Sequence, residues 1–531
     1  MEPIFFSKPT RYSHPFSDPS SNSSPVFRNP ETYLQLHSSP SSEINSLRDL
    51  FLNTAADFRN RPFLGTKVND SYRWRNYGEA HEFAEVWGSG LLEKDLVPLK
   101  KEYKSYEVRF LGICSKNREE YILADLACVF YGITTVPIYD TLGVQGVSFI
   151  LKQTGLKTMV VSGEMLDKLI KENLFGEVQT IIALDVISPS QRTEIEKRKL
   201  KIIPFTEVPS KQLPLPYPKI NSRSLYVFSY TSGTTGDPKG AMMTHGNFLS
   251  MTAAAAHIFP VISEEDSYIS YLPFAHVFER IVFWFSVYKG AGVGFYNGDV
   301  LKLKNDLEVL RPTFMPIVPR LLNRLCSVMK EGIAALTGCK RGLANRAVNT
   351  KMFNLKNNND VKHCLWDALI FKKMRNALGG RLKFMAIGSA PTSPDVLNFM
   401  KIALSIPIAE GYGQTESSGA SFVMHLDDLS GSGYVGGILI NNEFKIVDVP
   451  EMNYFASNKS REQGTALRKI RGECCIRGPG VFEGYYKDEA KTKEAIDGEG
   501  WLHTGDVVEM MENGGIKVID RLKNIFKLAQ G

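Results

Sequence analysis

The densest chemistry in the chain lies at Tyr230–Gly240, which reads YTSGTTGDPKG. Thr231, Ser232, Thr234 and Thr235 are hydroxyl donors around Gly233 and Gly236, and Lys239 follows as a cation. Glycines let backbone N–H groups crowd an anion without Cβ clashes, so this composition suits a phosphate-bearing ligand. It is not the hydrolase pattern G-x4-G-K-[ST], because Lys239 follows Pro238 and precedes Gly240. Ordinary P-loop NTPase or kinase chemistry is therefore disfavoured. A carboxylate that could share a hard cation with such a phosphate stands later, at Glu416 in EGYGQTESS, Glu410–Ser418. A cation bridging phosphates wants one or two protein oxygen ligands.

Further motifs follow: YLPFAHVFER at 271–280, RLKFMAIGSAP at 381–391, GWLHTGD at 500–506 and IDRLKNIFKLAQG at 519–531. Together with the phosphate loop, and in this order, they resemble the adenylate-forming superfamily, which includes acyl-CoA synthetases, luciferases and peptide-synthetase adenylation domains. PEMNY at 450–454 and GYYKDEAKT at 484–492 resemble eukaryotic long-chain acyl-CoA synthetases more than luciferases, but no role for them follows from the residues. The resemblance covers about Ser46 to Gly531.

The resemblance implies a nucleotide site with named parts. Thr231 to Gly236 would hold the phosphates and Lys239 would neutralise them. Glu410, Gly411 and Tyr412 would border the adenine, with Tyr412 stacking on it. Thr415 would lie near the α-phosphate, and Glu416 would bind Mg2+ with Thr231. Asp506 would accept from the ribose hydroxyls and Arg521 would contact the ribose. Lys523 and Lys527 would lie near the phosphates or the hinge. Gly388 and Ser389 would form the backbone face against which adenine and carboxylate sit. His276 would flank the acyl carboxylate, although a packed structural histidine reads nearly as well.

Several elements must position these residues. Leu225–Tyr230 reads as a strand entering the phosphate loop. Glu107–Cys114 reads as a buried strand, Glu119–Tyr131 as a helix broken by Gly132, and Thr134–Tyr139 as a second strand, which argues for a βαβ unit. The alternation recurs at Thr158–Ser162, Thr180–Ile187, Phe314–Val318 and Leu382–Ile387. After about Ser430 the texture changes to short strands, Glu443–Val449, Gly472–Arg477 and Gly515–Ile519, between Gly- and Pro-rich turns. The expected fold is α/β: a large adenylation domain with two mostly parallel sheets flanked by helices, plus a small β-subdomain at about 430–518. Residues 1–45, with SDPSSNSSP and HSSPSS, read as a flexible tail, 46–518 as the AMP-binding domain and 519–531 as the start of a hinge.

Composition excludes other classes. The 63 Lys and Arg against 57 Asp and Glu give a net charge of +6, too diffuse to argue for nucleic acid. Seven cysteines show no C-x-x-C spacing, which argues against a zinc ribbon or a disulfide framework. No apolar stretch is long enough to span a bilayer.

The expected reaction joins a long-chain fatty carboxylate to ATP, giving acyl-AMP and pyrophosphate. CoA thiolate would then expel AMP. ATP and CoA are thus substrates and Mg2+ a cofactor. Relatives continue past the position of Gly531 into a C-terminal domain, so weak adenylation and little thioester formation are expected of residues 1–531 alone. Two other readings stay open: an impaired nucleotide- or fatty-acid-binding relic, and an adenylating ligase for a different carboxylic acid. Gly531 does not close a peroxisomal SKL tripeptide. A cytoplasmic protein, peripheral on endoplasmic reticulum or peroxisome, is what the resemblance implies.

Overall fold

A computed structural model describes residues 12–32, 34–103, 106–139, 142–231, 237–456 and 469–522. Two large sheets organise the chain. The first has eight strands in the order 201–204, 180–183, 158–161, 110–114, 134–137, 225–231, 239–244 and 484–485. Its first six strands run parallel; 239–244 runs antiparallel to 225–231, and 484–485 runs antiparallel to 239–244. The second has nine strands, with a parallel core of 408–412, 384–387, 314–317, 267–270, 292–295 and 62–68. Antiparallel strands flank that core at both ends. The expected α/β architecture is therefore present, with antiparallel edges that the sequence pattern did not reveal.

Helices fill the space between and around the sheets. Glu119–Tyr131 starts and stops at the expected residues, and its C-cap Gly132 takes φ 63°, the left-handed conformation that glycine adopts at least cost. Every residue of this helix except Glu120 is buried, so it packs as an interior element, not as a surface amphipath. Helix Val277–Tyr288 is also nearly enclosed, with Trp284 fully buried. Between these two helices sits a charge pair: Arg280 Nη1 lies 2.9 Å from Asp125 Oδ1, each side chain 1% exposed. Tyr226 donates to Asp125 Oδ2 at 2.5 Å, and Trp284 Nε1 donates to Tyr226 at 3.2 Å. The carboxylate's hydrogen-bonding capacity is met, whereas Arg280 Nε and Nη2 find no hydrogen-bond partner among the described residues, and the guanidinium lies 4.4 Å from the Phe274 ring centroid.

The β-subdomain is a six-stranded antiparallel sheet, and it corrects the reading of the N-terminal segment. Its order is His14–Pro15, Phe27–Arg28, Glu443–Val447, Arg471–Arg477, Leu502–Met510 and Ile516–Arg521. Residues 1–45, expected to be a flexible tail, thus contribute two strands from their described part. The composition misled because a few large side chains suffice to anchor the segment. Tyr12 and Phe27 are fully buried, Phe27 stacks on Phe444 at 5.2 Å, and Arg28 pairs with Glu443 at 2.7 Å. The GWLHTGD motif at 500–506 runs into strand Leu502–Met510, an element its residues did not announce. The expected strand 107–114 divides at Arg109, whose guanidinium turns to Val97 O at 2.7 Å.

Candidate active site

The phosphate loop is the connection of a hairpin. Strand Leu225–Thr231 enters it, strand Lys239–Thr244 leaves it, and Thr231 pairs directly with Lys239. Ser232, Gly233, Thr234, Thr235 and Gly236 lie outside the described residues, as do Lys523 and Lys527. Thr231 and Lys239, at the loop's two ends, both line one cavity of about 680 Å³.

Three more chain segments converge on that cavity. Parallel strands Phe384–Ile387 and Ile408–Tyr412 end side by side, with Ile387 paired to Glu410. Gly388, Ser389, Gly411 and Tyr412 therefore line the cavity from the carboxyl ends of an open sheet, where ligands of α/β folds bind. Ser389 holds φ 76°, a costly conformation for a residue with a Cβ, kept here at the tip of the turn. The single 3-10 turn Thr415–Ser417 then places Thr415 and Glu416 on the wall. From the β-subdomain, Asp506 and Arg521 face each other across the sheet.

Asp506 is the centre of this polar end. It is only 2% exposed, and Arg521 Nε lies 2.8 Å from its Oδ1. Tyr412 donates to Oδ2 at 2.6 Å, and Gln414 Nε2 donates to the same oxygen at 2.8 Å. Burial and the neighbouring carboxylate push the Tyr412 phenol well above its ordinary value, so it stays a donor. Gln414 also reaches Thr504 O at 2.7 Å, which ties the two motifs together. His276 Nδ1 caps helix Val277–Tyr288 by accepting from Phe278 N at 3.2 Å, and the ring lines the cavity. Burial lowers its pKa, so it is a neutral imidazole.

Among the described residues, Glu410 is the member of the expected set that does not line the cavity. It is buried between Ala409 and Gly411, which do line the cavity, and its Oε2 finds no hydrogen-bond partner among the described residues. Burial pushes its carboxyl up to about 7, against the opposing pull of Thr392 N–H, Lys401 and Gly433 N–H.

Two features escaped the sequence reading. The first is Tyr485, within the GYYKD stretch to which no role had been given. Its strand pairs Ala241↔Tyr485, its hydroxyl donates to Glu416 Oε1 at 2.6 Å, and Lys239 Nζ sits 4.9 Å from its ring centroid. One side chain thus holds both the expected metal ligand and the loop lysine. The second is an apolar branch of the same cavity, walled by Met251, Ala255 and Ile258 from one helix and by Ile281 and Phe285 from another. Phe314 and Phe384 form its floor. By residue type these look like any core positions, so no signal in the sequence separates a wall from a core.

Comparison with known proteins gives this geometry a family. The model of the AMP-binding enzyme family matches residues 51–486. Long-chain-fatty-acid–CoA ligase 5 of Rattus norvegicus is 37% identical over 501 residues, covering 92% of this chain and 70% of the relative. Long chain acyl-CoA synthetase 6, peroxisomal, of Arabidopsis thaliana is 37% identical over 497 residues, covering 92% and 68%. Among solved structures, the adenylation domain of a carboxylate reductase from Mycobacterium chelonae superposes with a TM-score of 0.73 at 22% identity, over 91% of this chain and 72% of that one. A long-chain-fatty-acid-CoA ligase from Archaeoglobus fulgidus gives 0.67 at 21%, over 93% and 87%. These structural matches establish the adenylate-forming fold. With the sequence relatives, they place the chain among the long-chain acyl-CoA synthetases, ligases that activate fatty acids through acyl-AMP to acyl-CoA.

Proposed function

We propose that this chain binds ATP at the polar end of the cavity and a long acyl chain in its apolar branch, so that the carboxylate meets the α-phosphate where the two ends join. The observation that carries this reading is continuity: one cavity runs from Lys239, Glu416 and Asp506 to Ile258, Phe285 and Phe314. An ionised carboxylate needs no general base, only a positioned and electrostatically relieved phosphate. Lys239 and the loop from Thr231 to Gly236 would neutralise the phosphates. Tyr412, Gly388 and Ser389 would border the adenine, and Asp506 with Arg521 would hold the ribose. Neutral His276 and Thr415 would stand at the junction.

The donor set fits Mg2+. Glu416 offers a carboxylate and Thr231 a hydroxyl, both on the cavity wall, and oxygen ligands of this kind are what a hard cation takes. When bound, it would relieve charge on the phosphate oxygens. Tyr485 keeps the Glu416 carboxylate aimed at the cavity.

Peripheral membrane association belongs to this reading. Between Pro319 and Asn376 twelve Lys and Arg stand against three Asp and Glu, while Leu343, Phe353 and Leu369 are half or more exposed. A basic layer with exposed apolar side chains suits an anionic lipid surface. No helix among the described residues is long and apolar enough to cross a membrane. The segment 519–531 is read as the start of a hinge.

The test is palmitate-dependent ATP–pyrophosphate exchange across an acyl chain-length series, in wild type and Ala255→Phe. A phenyl ring at Ala255 displaces several methylenes from the apolar branch, at about 0.8 kcal/mol for each. Exchange with sixteen-carbon acid should fall on the order of 100-fold while short acids are spared. An equal fall for all lengths would remove the acyl chain from this branch.

A further inference from the structure

Beside the nucleotide end, three side chains of different chemistry meet at one point. Strand Arg471–Arg477 carries Glu473 and Cys475 on one face, and Leu502–Met510 pairs with it so that Cys475 stands opposite His503. His503 Nδ1 lies 3.0 Å from Glu473 Oε2 and 3.5 Å from Cys475 Sγ. One carboxylate oxygen, one sulfur and one ring nitrogen all fall within 4.8 Å of one another. Glu473 and Cys475 are buried, and Glu473 and His503 also line the nucleotide cavity.

The geometry points to a binding site for a borderline divalent cation of the Zn2+ class, held by Cys475 Sγ, His503 Nδ1 and one Glu473 oxygen. Metal–sulfur bonds of about 2.3 Å and metal–nitrogen bonds of about 2.0 Å put a tetrahedral sulfur–nitrogen pair roughly 3.5 Å apart, the spacing of Cys475 Sγ and His503 Nδ1 at 3.5 Å, and Glu473 Oε2 lies close enough to complete the set. The second shell agrees. His503 Nε2 lies 3.4 Å from Asp497 Oδ2, the carboxylate–histidine arrangement that turns Nδ1 into the ligand atom. Glu473 Oε1 is occupied by Gly505 N–H at 3.0 Å, which leaves Oε2 facing the cluster. Three protein ligands leave the fourth position for water or a ligand group from the cavity. This set differs from the oxygen donors Glu416 and Thr231, so a hard and a softer cation would not compete for one site. Through Gly505, the site adjoins Asp506.

Co2+ is the direct probe, used on residues 1–531 with Cys339→Ser and Cys364→Ser to remove the two exposed thiols. The expected result is one equivalent of Co2+ bound, with a thiolate-to-metal charge-transfer band in the near ultraviolet that Zn2+ abolishes. Cys475→Ser should remove the band and weaken Zn2+ at least tenfold in competition with a chromophoric chelator. Cys474→Ser, on the other face of the strand, should do neither. Thermal melting without metal shows whether each variant folds. A folded parent protein without the band, or a band that persists in Cys475→Ser, overturns the proposal.

Discussion

Tyr485→Phe isolates one hydroxyl on the cavity wall between Lys239 and Glu416. In the wild type that hydroxyl donates to Glu416 Oε1 at 2.6 Å, while the ring carries Lys239 at 4.9 Å and packs edge-on against Phe482 at 4.9 Å. Phenylalanine keeps both ring contacts and the strand pairing, so the fold should be spared. A hydrogen bond to a charged group contributes about 1.5–3 kcal/mol, and the half-buried setting of Glu416 favours the lower figure. At about 1.4 kcal/mol per decade, kcat/KM for pyrophosphate release should fall roughly tenfold. The apparent Mg2+ requirement should rise with it, because the carboxylate is no longer aimed. A double-mutant cycle with Glu416→Gln tests the route: once the carboxylate is gone, removing the hydroxyl should cost little more. If the two losses simply add, or if Tyr485→Phe leaves the Mg2+ dependence unchanged, Tyr485 does not act through Glu416.

Two further predictions concern stability. Asp125→Asn leaves the Arg280 guanidinium buried without its counter-charge, and breaking such a pair costs about 3–5 kcal/mol; urea unfolding that shows a loss under 1 kcal/mol would contradict the enclosed pair. Glu410→Gln works in the opposite sense. A carboxyl raised from 4.5 to about 7 holds its proton more tightly when folded, so the wild type loses stability as pH climbs from about 4.5 through 7. The variant is neutral throughout and escapes that loss. It should match the wild type below pH 4.5 and exceed it above pH 7, by up to about 3 kcal/mol. Melting temperatures that differ equally at pH 4 and pH 8 would show that Glu410 is not the titrating group.

What the sequence made legible, and what it did not, follows from the kind of signal each residue leaves. Helix 119–131 and the strands at 158, 180, 225 and 314 leave runs of apolar residues with sharp stops, and these determine elements locally. Thr231, Gly388, Tyr412, Glu416, Asp506 and Arg521 lie in motifs that can be named before the fold is known, and the structure brings all six to one cavity. Glu410 sits in the same motif yet is buried off the cavity, between Ala409 and Gly411, which line it, and the motif does not say which of its residues reach the cavity. Tyr485 was illegible for the converse reason. Its role depends on the pairing Ala241↔Tyr485, a contact between residues 244 positions apart, and nothing near Tyr485 announces it. The apolar branch is harder still. Ile258, Phe285 and Phe384 would be apolar whether they faced a ligand or each other, so only the unfilled volume between them distinguishes a site from a core. The residues proposed to bind the nucleotide could thus be read from sequence, whereas those proposed to bind the acyl chain become visible only when packing is known.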